Sequence, residues 1–73
     1  MIETEYRRYT TAELRNMPDT ARLESKLCSE WIPGTGVSKG VWYGLCWDSD
    51  GLGAHTETRR HKELARLLLR RIA

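Results

Sequence analysis

Four residues have the identities of zinc ligands: Cys28, Cys46, His55 and His61, separated by 18, 9 and 6 positions. Small zinc modules gather their ligands in close pairs on turns, because the ion must be closed tetrahedrally. The chain has no Cys-x-x-Cys and no His-x3-His pair. Packed thiols and core or boundary imidazoles are the expected roles, with no metal centre and no cofactor. The run Gly34-Thr35-Gly36-Val37-Ser38-Lys39-Gly40 has the composition of a phosphate loop. Such a loop needs Gly-x4-Gly-Lys-Ser/Thr between a strand and a helix, and here the expected order is reversed. Asp48-x-Asp50-Gly51 matches a fragment of a calcium loop, but the downstream bidentate Glu is absent and a turn is the better account. Ser38 with His55 or His61, and Cys46 with His55, are the only nucleophile and base pairings to consider. None has an orienting third group at sequence level, so no enzyme is expected.

The most informative chemistry is electrostatic. From Met1 to Thr58, six Lys/Arg oppose nine acids, a net −3; from Arg59 to Ala73, six Lys/Arg oppose Glu63 alone, a net +5. The formal charge of +2 therefore hides a basic segment on an acidic body. Arg outnumbers Lys in that segment, which suits bidentate recognition of carboxylate or phosphate. An ordinary solvated helix face is the competing explanation. The aromatic residues are Tyr6, Tyr9, Trp31, Trp42, Tyr43 and Trp47. Some must line the core, and an exposed Trp or Tyr beside Arg has the composition of a binding hot spot.

These groups need elements to hold them. Thr10-x-x-Glu13 is a capping box opening one or two helical turns, which Met17-Pro18 ends. Asp19 is a good N-cap for a second helix with Leu23, Leu27, Cys28 and Trp31 on one face, stopped by Pro33-Gly34. From Val37 the period becomes two. Val37, Lys39, Val41, Tyr43, Leu45 and Trp47 share one face, and Ser38, Gly40, Trp42, Gly44 and Cys46 the other. Asp48-Ser49-Asp50-Gly51 is a turn with Gly51 suited to positive φ, and Leu52 to Glu57 returns as the second strand. Gly40, Gly44 and Gly53 leave gaps where a Trp ring or a neighbouring backbone can lie. Thr58 caps a last helix, Arg59 to Ile72, with Leu64, Leu68 and Ile72 in line and Arg59, Lys62, Arg66 and Arg70 opposite. The expected class is α+β, in the order α-α-β-β-α, with helices packed on one face of a small antiparallel sheet. Met1 to Tyr9 lacks a period and is expected to be extended or frayed and flexible.

Seventy-three residues with 40% hydrophobic content suffice for one small domain, residues 1–73, and no second core. The longest apolar run, Val41 to Trp47, is far short of the roughly 20 residues that span a bilayer. No apolar stretch near Met1 marks a secretory signal. A cytoplasmic location follows as the expectation, with Cys28 and Cys46 as free thiols and a disulfide between them as the alternative.

The Val41-Trp42-Tyr43-Gly44-Leu45-Cys46-Trp47 hairpin strand and the Arg-rich Thr58 to Ala73 segment give the chain a further likeness. It resembles, over its whole length, the small phage-encoded regulators that bind bacterial RNA polymerase. The resemblance is strongest to the type from Xanthomonas phages that inhibits initiation and allows readthrough of terminators. It implies a regulator whose partner is bacterial RNA polymerase, acting by steric and allosteric means; a monomer is the separate expectation. Contact residues are then expected at Arg59, Arg60, Lys62, Arg66 and Arg70, at Trp42 and Tyr43 of the hairpin, and at Tyr6, Arg7, Arg8 and Tyr9. A nucleic-acid-binding regulator using the basic segment, and another phage inhibitor of a host defence complex, are the alternatives. Helix-turn-helix signals are absent, and +2 is a low charge for phosphate-driven affinity.

Overall fold

Strand periodicity governs far more of this chain than helical periodicity does. The computed structural model describes residues 2–48 and 50–73. Its elements are β1 (Arg7–Arg8), α1 (Thr11–Arg15), β2 (Leu23–Ser25), β3 (Cys28–Pro33), a 3-10 turn (Gly36–Ser38), β4 (Val41–Trp47), β5 (Ala54–Arg60), α2 (His61–Leu64) and β6 (Leu68–Arg71). The strands form one antiparallel sheet in the order β1-β6-β2-β3-β4-β5. The expected α-α-β-β-α arrangement is thereby overturned: the helices are two short segments, and the sheet has six strands rather than two.

The expected helix after Asp19 is a hairpin instead. Leu23 and Ser25 point inward at a spacing of two, and a bulge between Cys28 and Glu30 then shifts the register. A bulge places two residues opposite one and changes which face the following side chains take. Cys28 and Trp31 therefore both face inward, three positions apart, while Leu27 sits in the turn, 81% exposed. The single extra residue imitates a helical spacing.

The expected C-terminal helix is likewise divided. Arg59 and Arg60 complete β5, α2 is one turn, and Leu68–Arg71 returns as β6 between β1 and β2. Leu64 and Leu69 are the segment's buried leucines, five apart, and Leu68 is exposed, so the Leu64–Leu68–Ile72 line has no counterpart. Burying a leucine is worth about 1.5–3 kcal/mol. Helix propensities differ by only a few tenths of a kcal/mol per residue for most of this segment. Pairing that encloses Leu69 on both sides outweighs them. Residues 2–9 also join the fold. Arg7 and Arg8 pair with Leu69 and Leu68, and the Glu3 amide donates to the Arg71 carbonyl at 2.7 Å.

Other local expectations hold. The Thr10 hydroxyl accepts from the Glu13 amide at 3.1 Å while the Glu13 carboxylate accepts from the Thr10 amide at 3.0 Å, completing the capping box of α1. Gly51 has φ +73°, and its amide donates to the Asp48 carbonyl at 2.9 Å. Ser49, within the same expected turn, lies outside the described residues. The strand begins at Val41, since Val37 and Ser38 belong to the 3-10 turn, and its partner runs from Ala54 to Arg60 rather than from Leu52 to Glu57.

The inner face of the sheet is built on Trp31. A Cβ at Gly44 would lie 2.6–2.7 Å from Cζ3, Cε3 and Cη2 of that indole, so the ring occupies the space a side chain would need. Ser25, buried beside it, accepts from Trp31 Nε1 at 3.1 Å and from the Cys28 amide at 3.0 Å. Cys28 and Cys46 face each other across β3 and β4 and are joined as a disulfide, which corrects the expectation of free thiols. At the other end of the core, α1 and α2 pack together and bury Leu14 and Leu64 near Trp42.

Gly44→Ala is expected to destabilise the fold by about 2 kcal/mol, because Trp31 has no room to move without breaking its bond to Ser25. A lower urea midpoint at unchanged slope checks this. Reduction of the disulfide, which closes 18 positions of chain, is expected to cost about 3 kcal/mol. Urea titrations with and without a thiol reductant measure it, and a Cys28→Ser/Cys46→Ser variant should be indifferent to reductant.

Candidate interaction surface

Alternation along β4 sends Trp42, Gly44 and Cys46 inward and Tyr43, Leu45 and Trp47 outward. Residues paired across an antiparallel ladder share a face. Tyr43 is flanked by Ile32 of β3 and Thr58 of β5, Leu45 by Glu30 and Thr56, and Trp47 by Ala54. Ile32, Tyr43, Leu45 and Trp47 thus form an outward apolar patch across the central strands. Trp47 is 60% exposed, and the small side chain of Ala54 beside it leaves the indole open. The Tyr43 hydroxyl donates to Ser38 Oγ at 2.9 Å, fixing its ring at the upper end of the patch.

Trp42, expected as a contact residue, is fully buried, and this is a correction. Its indole N–H donates to His61 Nδ1 at 3.0 Å and is thereby satisfied inside the core. That bond requires an unprotonated Nδ1, and burial together with the nearby Arg15 pushes the His61 pKa below its ordinary value. Trp47, Leu45 and Ile32 were not among the expected contacts. The period-two face that carries Tyr43 also carries Leu45 and Trp47, so that signal was present. Ile32 was hidden behind the helical reading of β3.

The expected cationic stripe does not form as a single surface. Arg59 faces inward from β5 and pairs with Glu57 at 2.7 Å. Arg60 ends β5 on the outward face opposite Val41, and Lys62 lies exposed on α2. Arg66 sits in the α2–β6 connection, and Arg70 on β6 is held by the Glu24 carboxylate. The N-terminal residues are engaged as well. Tyr6 lies between cations, with the Arg70 guanidinium 4.9 Å and the Lys26 ammonium 5.8 Å from its ring centroid. Arg7 pairs with Glu3 and Glu13, each at 3.0 Å, and stacks 3.7 Å over the buried Tyr9 ring. That ion pair holds the Glu13 carboxyl down at about 2. Burial and a bond to Glu3 push the Tyr9 phenol up to about 12. Arg8 donates to the Arg66 carbonyl at 3.2 Å.

Among the zinc-type residues, Cys28 and Cys46 come together with Glu57 within 4.8 Å, but the two sulfurs are bonded to each other. His61 is at the opposite end of the core with Trp42. His55 closes the β4–β5 hairpin, with Nδ1 2.7 Å from Asp48 Oδ1 and Nε2 2.7 Å from Glu57 Oε2. Of the nucleophiles considered, Ser38 is bonded to Tyr43 and Cys46 to Cys28. No helix is long and apolar enough to cross a membrane among the described residues. Comparison with protein-family models, curated proteins and solved structures finds no match to this chain.

The bonds to Glu57 first, and Asp48 next, raise the His55 pKa above its ordinary 6.5. A raised folded-state pKa contributes stability that is complete below the unfolded value and is lost as pH rises through the folded value. The advantage of the wild type over His55→Gln in thermal midpoint is therefore expected to be larger near pH 5.5 than near pH 9. Equal differences at both pH values contradict the clamp.

Proposed function

We propose that this chain is a protein-docking regulator that acts by covering a surface of a larger assembly rather than by catalysis. The observation that carries this reading is the uncovered apolar patch of Ile32, Tyr43, Leu45 and Trp47 on the outward face of the sheet. A large aromatic residue held on a rigid strand loses little conformational freedom on binding, which is why Trp and Tyr dominate binding hot spots. The specific partner we propose is bacterial RNA polymerase, with inhibition of initiation and altered termination as the outcome, in the cytoplasm of the host of a phage. Support for that partner comes from the hairpin half of the resemblance described above. The helical half has lost its basis, since the Arg-rich segment is strand, one helical turn and strand.

Two further features favour a protein partner over nucleic acid. Arg7, Arg22, Arg59 and Arg70 are paired with the chain's own carboxylates. Of the other cations, Lys26 and Arg66 meet at one cleft while Arg60 and Lys62 lie on β5 and α2, so they do not make a continuous track along which a phosphate backbone could run. A cytoplasmic role also places the Cys28–Cys46 bond among cellular reductants, so the dithiol form must retain the fold for the reading to hold.

Purified bacterial RNA polymerase, free of nucleic acid, is expected to bind the chain, and the complex is expected to start transcription less efficiently and read through terminators more often. Leu45→Ser/Trp47→Ser should weaken that binding by about 2 kcal/mol or more while leaving the melting temperature close to wild type. Absence of binding to both core enzyme and holoenzyme contradicts the polymerase assignment. Unchanged binding by the variant contradicts the patch. Retention on nucleic acid alone, with affinity falling steeply as salt rises, contradicts the protein-partner reading.

A further inference from the structure

A second surface lies on the inner side of the sheet, where the strands stop short of closing. β5 ends the strand order, and among the described residues no strand pairs with its outer edge. Between β5, the β2–β3 turn and the α2–β6 connection runs a cleft of about 270 Å³. Leu27, Trp31, Leu67 and Leu68 supply its apolar lining, and its charged part is Lys26, Arg59 and Arg66 with one carboxylate, Glu57. Lys26 and Arg66 make no ion pair with a carboxylate among the described residues. Arg59 is paired with Glu57, and His55 lies between that same Glu57 and Asp48. The cleft thus combines apolar side chains with three cations against one carboxylate.

We propose that this cleft and the free edge of β5 together bind an extended acidic segment of a protein partner. The segment lies along β5 as an added strand, places one apolar side chain in the cleft, and sets its carboxylates against Lys26 and Arg66, the two lining cations without an acid partner among the described residues. Each part answers a feature of the site. An unpaired edge of seven residues offers backbone donors and acceptors at strand spacing. Side chains of an added strand alternate, so an apolar residue entering the cleft leaves neighbours free to meet the cations. The excess of cations in the lining disfavours basic segments and speeds encounter with acidic ones. A nucleic-acid base fits less well. Trp31 is 1% exposed and its ring is covered by Gly44, so it offers no face for stacking. This proposal does not depend on the outward patch or on polymerase being the partner.

Selection from a displayed random-peptide library on the oxidised full-length protein tests it. Enriched peptides are expected to carry acidic residues around an aliphatic or aromatic anchor. Synthetic versions should shift the amide resonances of Lys26, Glu57 to Arg59 and Arg66 to Leu68. Binding should weaken about tenfold or more in Lys26→Glu/Arg66→Glu and in the milder Lys26→Ser/Arg66→Ser, each with an unchanged amide spectrum elsewhere. It should be unchanged in Leu45→Ser/Trp47→Ser, which separates this cleft from the outward patch. Failure to enrich acidic peptides, shifts confined to other residues, or equal binding by the charge variants overturns the proposal. So does a random single-stranded oligonucleotide that shifts the same resonances when the peptides do not.

Discussion

The packing of the Trp31 indole against Gly44 is the constraint on which the rest of the structure depends. One face of β4 has no side chain at its middle, and the ring from β3 fills that gap. With Ser25 taking the indole N–H, the ring is held from two strands at once and a buried polar atom is satisfied. The Cys28–Cys46 bond fixes the same pair of strands one step further along. Because β4 alternates, committing Gly44 to the inside also commits Tyr43, Leu45 and Trp47 to the outside. The outward patch is a consequence of how the core is filled.

Much of this was legible where local chemistry decides the outcome. The capping box at Thr10 and Glu13, the turn ending in Gly51, the alternation from Val41 to Trp47 and the gap left by Gly44 are all set by residues close in sequence. The helical readings of Leu23 to Trp31 and of Arg59 to Ile72 failed for non-local reasons. A bulge between Cys28 and Glu30 gave the first segment a false helical spacing, and nothing local marks the position of a bulge. The second segment contains good helix formers, yet Leu69 gains more from enclosure between β1 and β2 than the segment gains from continuing a helix. Strand partners dozens of residues away made that choice.

The candidate contacts divide along the same line. Tyr43 was recognisable because period two is local, whereas which of Trp42 and Tyr43 faced solvent depended on where Trp31 packed. The basic segment was visible as composition. Its acids were not: Glu24 and Glu57 become partners of Arg70 and Arg59 only once β2, β5 and β6 are in place. What survives is a division of labour. A rigid apolar patch faces outward, and a cationic cleft opens where the sheet is incomplete, with Lys26 brought to it by the β2–β3 turn.

Proton NMR of the oxidised protein at neutral pH tests the central packing most directly. The account predicts an α-proton of Gly44 displaced strongly upfield by the Trp31 ring current, with cross-peaks to the Hε3, Hζ3 and Hη2 protons of that ring. Gly44 α-protons at ordinary shifts, together with sequential helical contacts through Leu23 to Trp31, would contradict the account.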